Sequence, residues 1–393
     1  MRLEISANYV EFIQSGQFLM RVLFLVQYPR QAPSPRYRVY QLVPWLEEAG
    51  VECDVEPLIR ESDYAAARSA GMYLDKSRML AGGFARRVSA LLRARKYDLV
   101  YVLKGAFPYG PPIIEQLLRT GNVPVIFDFD DAIHIHKKSV SHRFLDYLKS
   151  TRRVGRVAAL ASRVVVPNEF LADFAREFNS VVTVVPEAEN TERLVPRTPH
   201  ANGSKTVIGW VGSSSTAKYL TLIEEALRTV CDRFPNVVLR VIGGKFESEG
   251  VRAELVDWNF DQEVQQFHDL DIGIMPLPLE EWSKGKSGCK LRQYMAAGVP
   301  GVGTAIGYNL ELVEHGRTGF LATTQDEWVD CLSTLIERPE LRNTIAAAAR
   351  LDVEQRFAIN VIGPKLEAAI RETVDEFRVA PSKAAGRAGR SVA

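Results

Sequence analysis

The stretch Thr206-Val207-Ile208-Gly209-Trp210-Val211-Gly212-Ser213-Ser214-Ser215-Thr216-Ala217-Lys218 decides how the chain is read. Its first six residues form a nearly continuous apolar run, the pattern of a strand covered on both faces. A turn of Gly, Ser and Thr follows. Then Leu220, Ile223, Leu227, Val230 and Phe234 recur at helical spacing, which predicts a helix over Thr216–Phe234. Strand, small-residue turn and helix make one unit of a parallel sheet wound with right-handed crossovers.

The same unit repeats in both directions. Strand-like runs lie at Arg21–Val26, Asp98–Leu103, Val123–Phe127, Arg163–Pro167 and Val181–Val185. Beyond the opening stretch come Val237–Ile242, Asp271–Met275 and Val299–Gly303. Between the two sets lies Pro186–Ser204, polar and interrupted by Pro186, Pro196 and Pro199, which reads as an interdomain linker. The expected fold class is α/β, with two Rossmann-like doubly wound domains. Facing domains of this kind leave a cleft at the carboxyl ends of their strands, where ligands bind.

Composition agrees. A chain of 393 residues, 46% apolar and 25% charged, is long enough for two cored domains. The 49 basic and 48 acidic residues nearly cancel, which argues against a dedicated nucleic-acid binder. No apolar run reaches bilayer length, and the N-terminus reads as lacking a secretion signal. Cys53, Cys231, Cys289 and Cys331 are widely separated, which suits a reducing cytosol better than a disulfide framework or a zinc site.

Two loops invite an anion. In Gly212–Lys218, small residues let a ligand approach the backbone, and the following helix would offer unpaired N–H groups. Lys218 is unfavourable in a first helical turn unless an anion is near; the other reading is an ordinary capped turn with a solvated lysine. The second loop is Gly285-Lys286-Ser287-Gly288-Cys289-Lys290-Leu291-Arg292-Gln293-Tyr294-Met295-Ala296-Ala297-Gly298-Val299-Pro300. There a Gly/Ser turn again enters a helix, with Lys286 and Lys290 one turn apart at its start. Two cations beside a positive helix end suit a diphosphate.

These residues carry a resemblance. Gly285–Pro300, with Glu311-Leu312-Val313-Glu314-His315-Gly316-Arg317-Thr318-Gly319-Phe320-Leu321-Ala322, is similar to the donor-binding half of family 4 glycosyltransferases of the GT-B fold. Gly209–Leu222 and Asn168–Arg193 fit the same family. In the N-terminal half, Pro35-Arg36-Tyr37-Arg38-Val39-Tyr40-Gln41 and Phe127-Asp128-Phe129-Asp130-Asp131-Ala132-Ile133 resemble a bacterial branch of it. The likeness runs from about Met20 to Phe377.

The resemblance implies sugar transfer from a nucleoside-diphosphate donor to an acceptor hydroxyl with retained anomeric configuration. No metal or other cofactor is expected. Catalytic roles would fall to Lys218, Lys290, Asp130 and Asp131. Donor contacts would come from Gly212, Ser213, Gly243, Trp258, Lys286, Ser287, Gly288, Cys289, Leu291 and Gln293. Lys218 would neutralise the leaving diphosphate, the N–H groups of Ser287, Gly288 and Cys289 would hold phosphate and sugar oxygens, and Gln293 would face the ribose. Fixed donors of this sort act where charge develops as the glycosidic bond breaks.

Three positions depart from the family. Two glutamates seven residues apart are frequent there, and this chain has Gly285 and Gln293 in their places. Gln293 can still bond a hydroxyl but supplies no charge; Glu280 or Glu281 is the available substitute for the first. Trp210 stands where many members have arginine, leaving Lys286 or Lys290 to replace that cation. A nucleotide-sugar-binding or regulatory protein without turnover, or a nucleotide-sugar epimerase, are the rival readings.

The acceptor side rests on Arg36, Arg38 and His134. Arg36 and Arg38 follow the first strand, where a βα loop faces the cleft and two guanidiniums could grip an anion; surface charge is the alternative. Asp130 and Asp131 end a strand, suited to orienting an acceptor hydroxyl or to capping the next segment. His134 and His136 beside them read more readily as a loop than as a metal cluster, with His134 the better ligand contact. Trp258 either contacts the base or is core.

Arg60–Lys104 holds ten basic and four acidic residues. Met79, Leu80, Phe84, Val88, Leu91 and Leu92, interleaved with Arg86, Arg87, Arg93 and Arg95, form a basic amphipathic pattern, able to rest on an anionic membrane or to pack on a sheet. The expected domains are an N-terminal extension, 1–19, read as an extra strand or an over-annotated start; an acceptor domain, 20–190; a linker, 191–205; a nucleotide-sugar domain, 206–360; a helix crossing back, 361–378; and a disordered tail, 379–393. A cytoplasmic location, with possible contact at the inner membrane face, completes the expectation.

Overall fold

The computed structural model describes residues 20–68, 73–135, 151–197 and 205–379. His136, the extension, the basic tail and most of the linker's second half lie outside them.

Two wholly parallel six-stranded sheets organise the chain. The first contains β1 (Met20–Val26), β2 (Val51–Pro57), β3 (Leu99–Leu103), β4 (Val125–Asp128), β5 (Arg163–Val166) and β6 (Val182–Val184), in the order β2-β1-β3-β4-β5-β6. The second contains β7 (Thr206–Val211), β8 (Val237–Ile242), β9 (Ala253–Val256), β10 (Ile272–Met275), β11 (Gly301–Thr304) and β12 (Phe320–Ala322), in the order β12-β11-β10-β7-β8-β9. In the first sheet the chain starts on the second strand from one edge, and in the second on a central strand. In each it winds to one side and then to the other, so that each sheet has a switch point beside its first strand. The central strands are buried along their whole length, as their unbroken apolar runs require.

The expected long helix after β7 is three pieces. One turn at Ser214–Ala217 passes into a 3-10 segment, Lys218–Ile223, and the α-helix proper is Glu224–Arg233. The apolar positions Leu220, Ile223, Leu227 and Val230 are nevertheless all buried. Tighter winding preserves their common face but moves Lys218 out of an α-helical first turn.

Helix Cys289–Ala296 is fixed to the second sheet by close approach. A Cβ on Gly273 would lie 2.4 Å from the Tyr294 ring, so only glycine in β10 lets that ring lie on the strand. The Tyr294 hydroxyl shares its single proton between the Gly209 and Ile274 carbonyls, at 3.3 and 3.2 Å, and accepts from the Val211 N–H at 3.2 Å. One side chain thus ties the loop-bearing helix to the carboxyl ends of β7 and β10.

The last helix, Ile359–Val379, packs on the first domain although its sequence follows the second. Its Ile362, Leu366, Ala369, Ile370 and Val374 join the core formed by β1 and helix Val43–Glu48. Burying the branched side chains among these contributes roughly 1.5–3 kcal/mol each. Arg163 of β5 adds ion pairs to Glu372 and Glu376. The outgoing and returning crossings touch where the Glu189 N–H donates to the Phe357 carbonyl at 2.7 Å.

In the first domain, helix Tyr73–Arg93 corrects the amphipathic reading at one position. Arg87 belongs to the buried face: its guanidinium donates to the carbonyls of Ala106, Glu56 and Val26. Burial drives its pKa down to about 10.

Candidate functional site

Four loops at the carboxyl ends of β7, β8, β9 and β10 converge. Gly243 after β8 has φ +78°, and a Cβ there would stand 2.5 Å from the Gly212 carbonyl oxygen and 3.0 Å from the Trp258 Cβ. A Cβ on Gly212 would lie 2.6 Å from the Trp210 ring and 3.0 Å from Lys290 Cε. The glycines are therefore where the loops approach one another and the Lys290 side chain.

Lys290 is the notable cation there. Half-buried, its Nζ lies 5.3 Å from the centroid of the Trp210 ring, and among the described residues it has no ion pair or hydrogen bond. Burial lowers its pKa to about 8, with Lys286 adding to the effect and Cys289 opposing it. Trp210, standing where an arginine was the alternative, is thus the wall on which this lysine rests. Lys218 is separate: exposed, in the 3-10 segment, over its neighbour Tyr219 at 5.7 Å.

The turn before helix Cys289–Ala296 is shaped by Gly288, at φ +70°, where a Cβ would strike Leu312 Cδ2 at 2.5 Å. Behind it, fully buried Arg292 donates to the Ser287 carbonyl and pairs with Glu187 of the interdomain crossing. The first N–H groups of this helix lack intrahelical acceptors, as at any helix start. Ser287 is buried, and the Cys289 thiol is held up by burial, which keeps it uncharged. Ser213 sits at the mouth of the first loop, its hydroxyl 2.9 Å from that of Ser215. The Leu291 side chain lies in the core against Gly301 and Gly303, which leaves its backbone as the part that a donor could meet.

The opposite domain meets this surface directly. Lys286 Nζ lies 2.6 Å from Asp131 Oδ1 and 4.2 Å from the Trp282 ring centroid. Asp131 also faces Lys104 at 3.4 Å, while Lys104 binds Asp130 at 2.7 Å. Burial raises the Asp131 pKa, but Lys286 and then Lys104 outweigh it and hold the carboxyl below its usual range. Lys104 adopts φ +60° at the end of β3, a conformation a side chain seldom takes. Gly285 has no carboxylate to offer, and its lack of one is structural: a Cβ would lie 2.8 Å from that of Ala132 across the domains.

Arg36 and Arg38 correct the acceptor expectation. Arg38 is 2% exposed, with Nε 2.9 Å from Asp128 Oδ2 and a further bond to the Val185 carbonyl. It is a buried strut between β4 and β6. Arg36 crosses the domains to Glu263 at 3.0 and 3.2 Å. Glu263 also holds Arg193 at 2.6 Å and accepts from the Trp258 indole at 3.2 Å. Trp258 is partly buried with its nitrogen engaged, yet its Cβ borders the Gly243 loop. Gln293, buried, donates to the Tyr37 hydroxyl of the first domain.

His134 stacks on Phe174 at 3.8 Å with an 11° interplanar angle, and its Nδ1 is buried without a hydrogen-bond partner among the described residues. Burial lowers its pKa against the opposing pull of Glu281. No group of His, Cys, Asp and Glu able to hold a metal occurs among the described residues.

Sequence reasoning missed Lys104, Glu187, Glu189, Glu263 and Arg292. Only a basic or acidic side chain inside an otherwise buried segment marks them. Glu189 is buried, its Oε2 unpartnered among the described residues, and burial, partly offset by Arg292, raises its pKa to about 8.

Residues 205–338 match the family model of glycosyl transferases group 1. Among solved structures, the chain resembles a sucrose-phosphate synthase from Thermosynechococcus elongatus, with TM-score 0.65 and 14% identity over 91% of this chain and 99% of that one. It is also similar to a glycosyltransferase from Rickettsia africae, at TM-score 0.64 and 14% identity over the same shares. Anabaena HepE, solved in complex with UDP-glucose, gives TM-score 0.62 and 16% identity over 91% of this chain and 100% of that one. No curated protein matches the sequence. The chain has the GT-B fold, and its C-terminal domain carries the match to glycosyl transferases group 1.

Proposed function

We propose that the protein is a retaining glycosyltransferase of the family 4 type, moving a sugar from a nucleoside diphosphate to an acceptor hydroxyl. The observation that carries this reading is Lys290, a half-buried cation without a counter-ion among the described residues, where the Gly212, Gly243 and Gly288 loops meet. A diphosphate supplies the missing partner. The group 1 match spans the same loops, and HepE, of the same fold, binds UDP-glucose.

In this mechanism the diphosphate lies between Lys290 and the N–H groups opening helix Cys289–Ala296. Negative charge grows on the leaving phosphate as the glycosidic bond breaks, and a fixed cation with aligned N–H groups lowers that barrier. These residues and Lys218 take the charge, so no metal is invoked. Lys286, released from Asp131, reaches toward the donor sugar, and Asp130 and Asp131 orient the acceptor hydroxyl. Closure of the two domains excludes water, the competing acceptor.

The test is turnover of candidate nucleotide sugars, with the anomeric configuration of the product read by NMR. Transfer or donor hydrolysis above background, with retention, is expected. Binding without turnover would favour the regulatory reading, and an epimerised donor without acceptor would favour the epimerase.

A further inference from the structure

We infer that the acceptor is a neutral sugar ring, seated on Tyr28 at the switch point of the first sheet, beside Lys104. This rests on the proposed sugar transfer and names the acceptor class for it.

In the second sheet the switch point lies between β7 and β10, where Tyr294 ties down the helix that carries Lys290. In the first sheet it lies between β1 and β3, because the chain leaves β1 for β2 on one side and returns with β3 on the other. A ligand crevice is expected outside the carboxyl ends of those two strands. Gln27, just after β1, donates to the Lys104 carbonyl at 2.9 Å, which joins the two loops across that point. Arg36 and Arg38 are engaged by Glu263 and Asp128, so neither expected arginine serves this crevice.

The loops bring tyrosines instead. Tyr28 follows β1, Tyr64 comes from the connection after β2, and Phe107 and Tyr109 follow β3. Tyr28 is 41% exposed and the other three are half-buried. Tyr28 meets Tyr64 at 6.0 Å and Phe107 meets Tyr109 at 6.3 Å, both edge to face, so within these pairs no ring lies flat on its neighbour. Burial of its hydroxyl end raises the Tyr28 pKa, with Tyr109 and Tyr64 adding to the effect and Lys104 opposing it, so these groups surround one spot. A Cβ on Gly110, beside Tyr109, would meet nothing within 4 Å, so the β3 loop borders open space. Lys104 itself holds φ +60°, a strained conformation of the kind kept at ligand sites.

The chemistry of the crevice identifies the occupant. Lys104 and Lys286 are balanced by Asp130 and Asp131, and Arg30, Arg60, Glu61 and Asp63 in the flanking loops are two of each sign. A site without net charge does not select an anion. What it offers is aromatic rings beside carboxylates. A pyranose ring is the complement, with C–H groups on one face and hydroxyls at its rim. The C–H face suits a tyrosine ring, and the rim hydroxyls donate to Asp130 or Asp131. Lys104 binds both carboxylates, at 2.7 and 3.4 Å, and so holds them at the edge of the tyrosine cluster.

Saturation-transfer-difference NMR on the full chain tests the inference, without nucleotide. The probes are methyl β-D-glucopyranoside, methyl β-D-galactopyranoside, methyl α-D-mannopyranoside and maltose. At least one should show transfer, strongest at the ring C–H protons of one face. Tyr28→Ala should reduce that transfer roughly fivefold, the worth of one aromatic contact. Tyr28→Phe should retain it, because the ring remains. Tyr28 is exposed, so thermal unfolding of both variants should match wild type. Silence from all four probes, or equal transfer with wild type and Tyr28→Ala, would overturn the inference. So would binding of glycerol 3-phosphate in their place, the result expected of an anionic acceptor. Calorimetry with nucleotides separates this from the donor reading. Saccharide contact without nucleotide binding would sustain the sugar site and strike the transfer; nucleotide binding without saccharide contact would strike only the acceptor.

Discussion

Lys286 Nζ lies 2.6 Å from Asp131 Oδ1, joining the loop that opens helix Cys289–Ala296 to the end of β4 in the other domain. On the proposed reading, the cation that meets a donor sugar is therefore already neutralised by the first domain, and donor binding competes with that pair.

Asp131→Asn should accordingly free Lys286 and loosen the domains. The pair is partly exposed, so the loss in stability should be about 1 kcal/mol or less. Because Asp131 ionises below its unfolded value, its contribution is present above about pH 4 and disappears as pH falls further. Thermal midpoints of wild type and variant should differ at pH 6 and converge toward pH 2.5. A constant gap would contradict the assignment.

Glu189 has the opposite sign. Its pKa rises to about 8 in the folded protein, so the unfolded chain loses the proton first. Its contribution is present below about pH 4.3 and falls continuously toward pH 8. In Glu189→Gln that decline should vanish, leaving urea-unfolding stability flatter than wild type between pH 5 and 8.

Arg38→Ala should act on the fold, leaving nucleotide specificity alone. It strands the buried Asp128 carboxylate, which also accepts from the Tyr101 hydroxyl. A loss of about 3–5 kcal/mol in urea denaturation is expected. An unchanged midpoint would return Arg38 to the list of ligand contacts.

Gly243→Ala should remove nucleotide binding and cost about 1–3 kcal/mol. The methyl group meets the Gly212 carbonyl, which is backbone and cannot rotate away. Calorimetry and thermal unfolding on one preparation give both numbers.

The sheets were legible where they are central. β3, with five buried residues, and β7, with six, read as unbroken apolar runs. The strands without that signal are edges. β2, Val-Glu-Cys-Asp-Val-Glu-Pro, is half-buried along most of its length; β9 alternates exposed with half-buried residues, and β12 has three residues. An edge strand needs no continuous apolar pattern because one side meets solvent or a loop. In the site, the glycine turns were visible because backbone approach demands glycine locally. Arg36–Glu263 and Arg292–Glu187 span 227 and 105 residues, and no local pattern encodes such partners. Arg38 shows the reverse: its loop position suggested a ligand, and packing against Asp128 decided otherwise.

Calorimetric titration with UDP, GDP, ADP, dTDP and CMP tests the central claim most directly, on wild type, Lys290→Ala and Lys218→Ala. One diphosphate should bind selectively, and Lys290→Ala should weaken it about tenfold or more, as loss of a charge-assisted contact implies. Wild-type affinity should fall from pH 7 to 9 as Lys290, near pKa 8, loses its proton, whereas Lys290→Ala should not follow that slope. If no nucleotide binds, or if Lys290→Ala binds as wild type does, the donor site lies elsewhere.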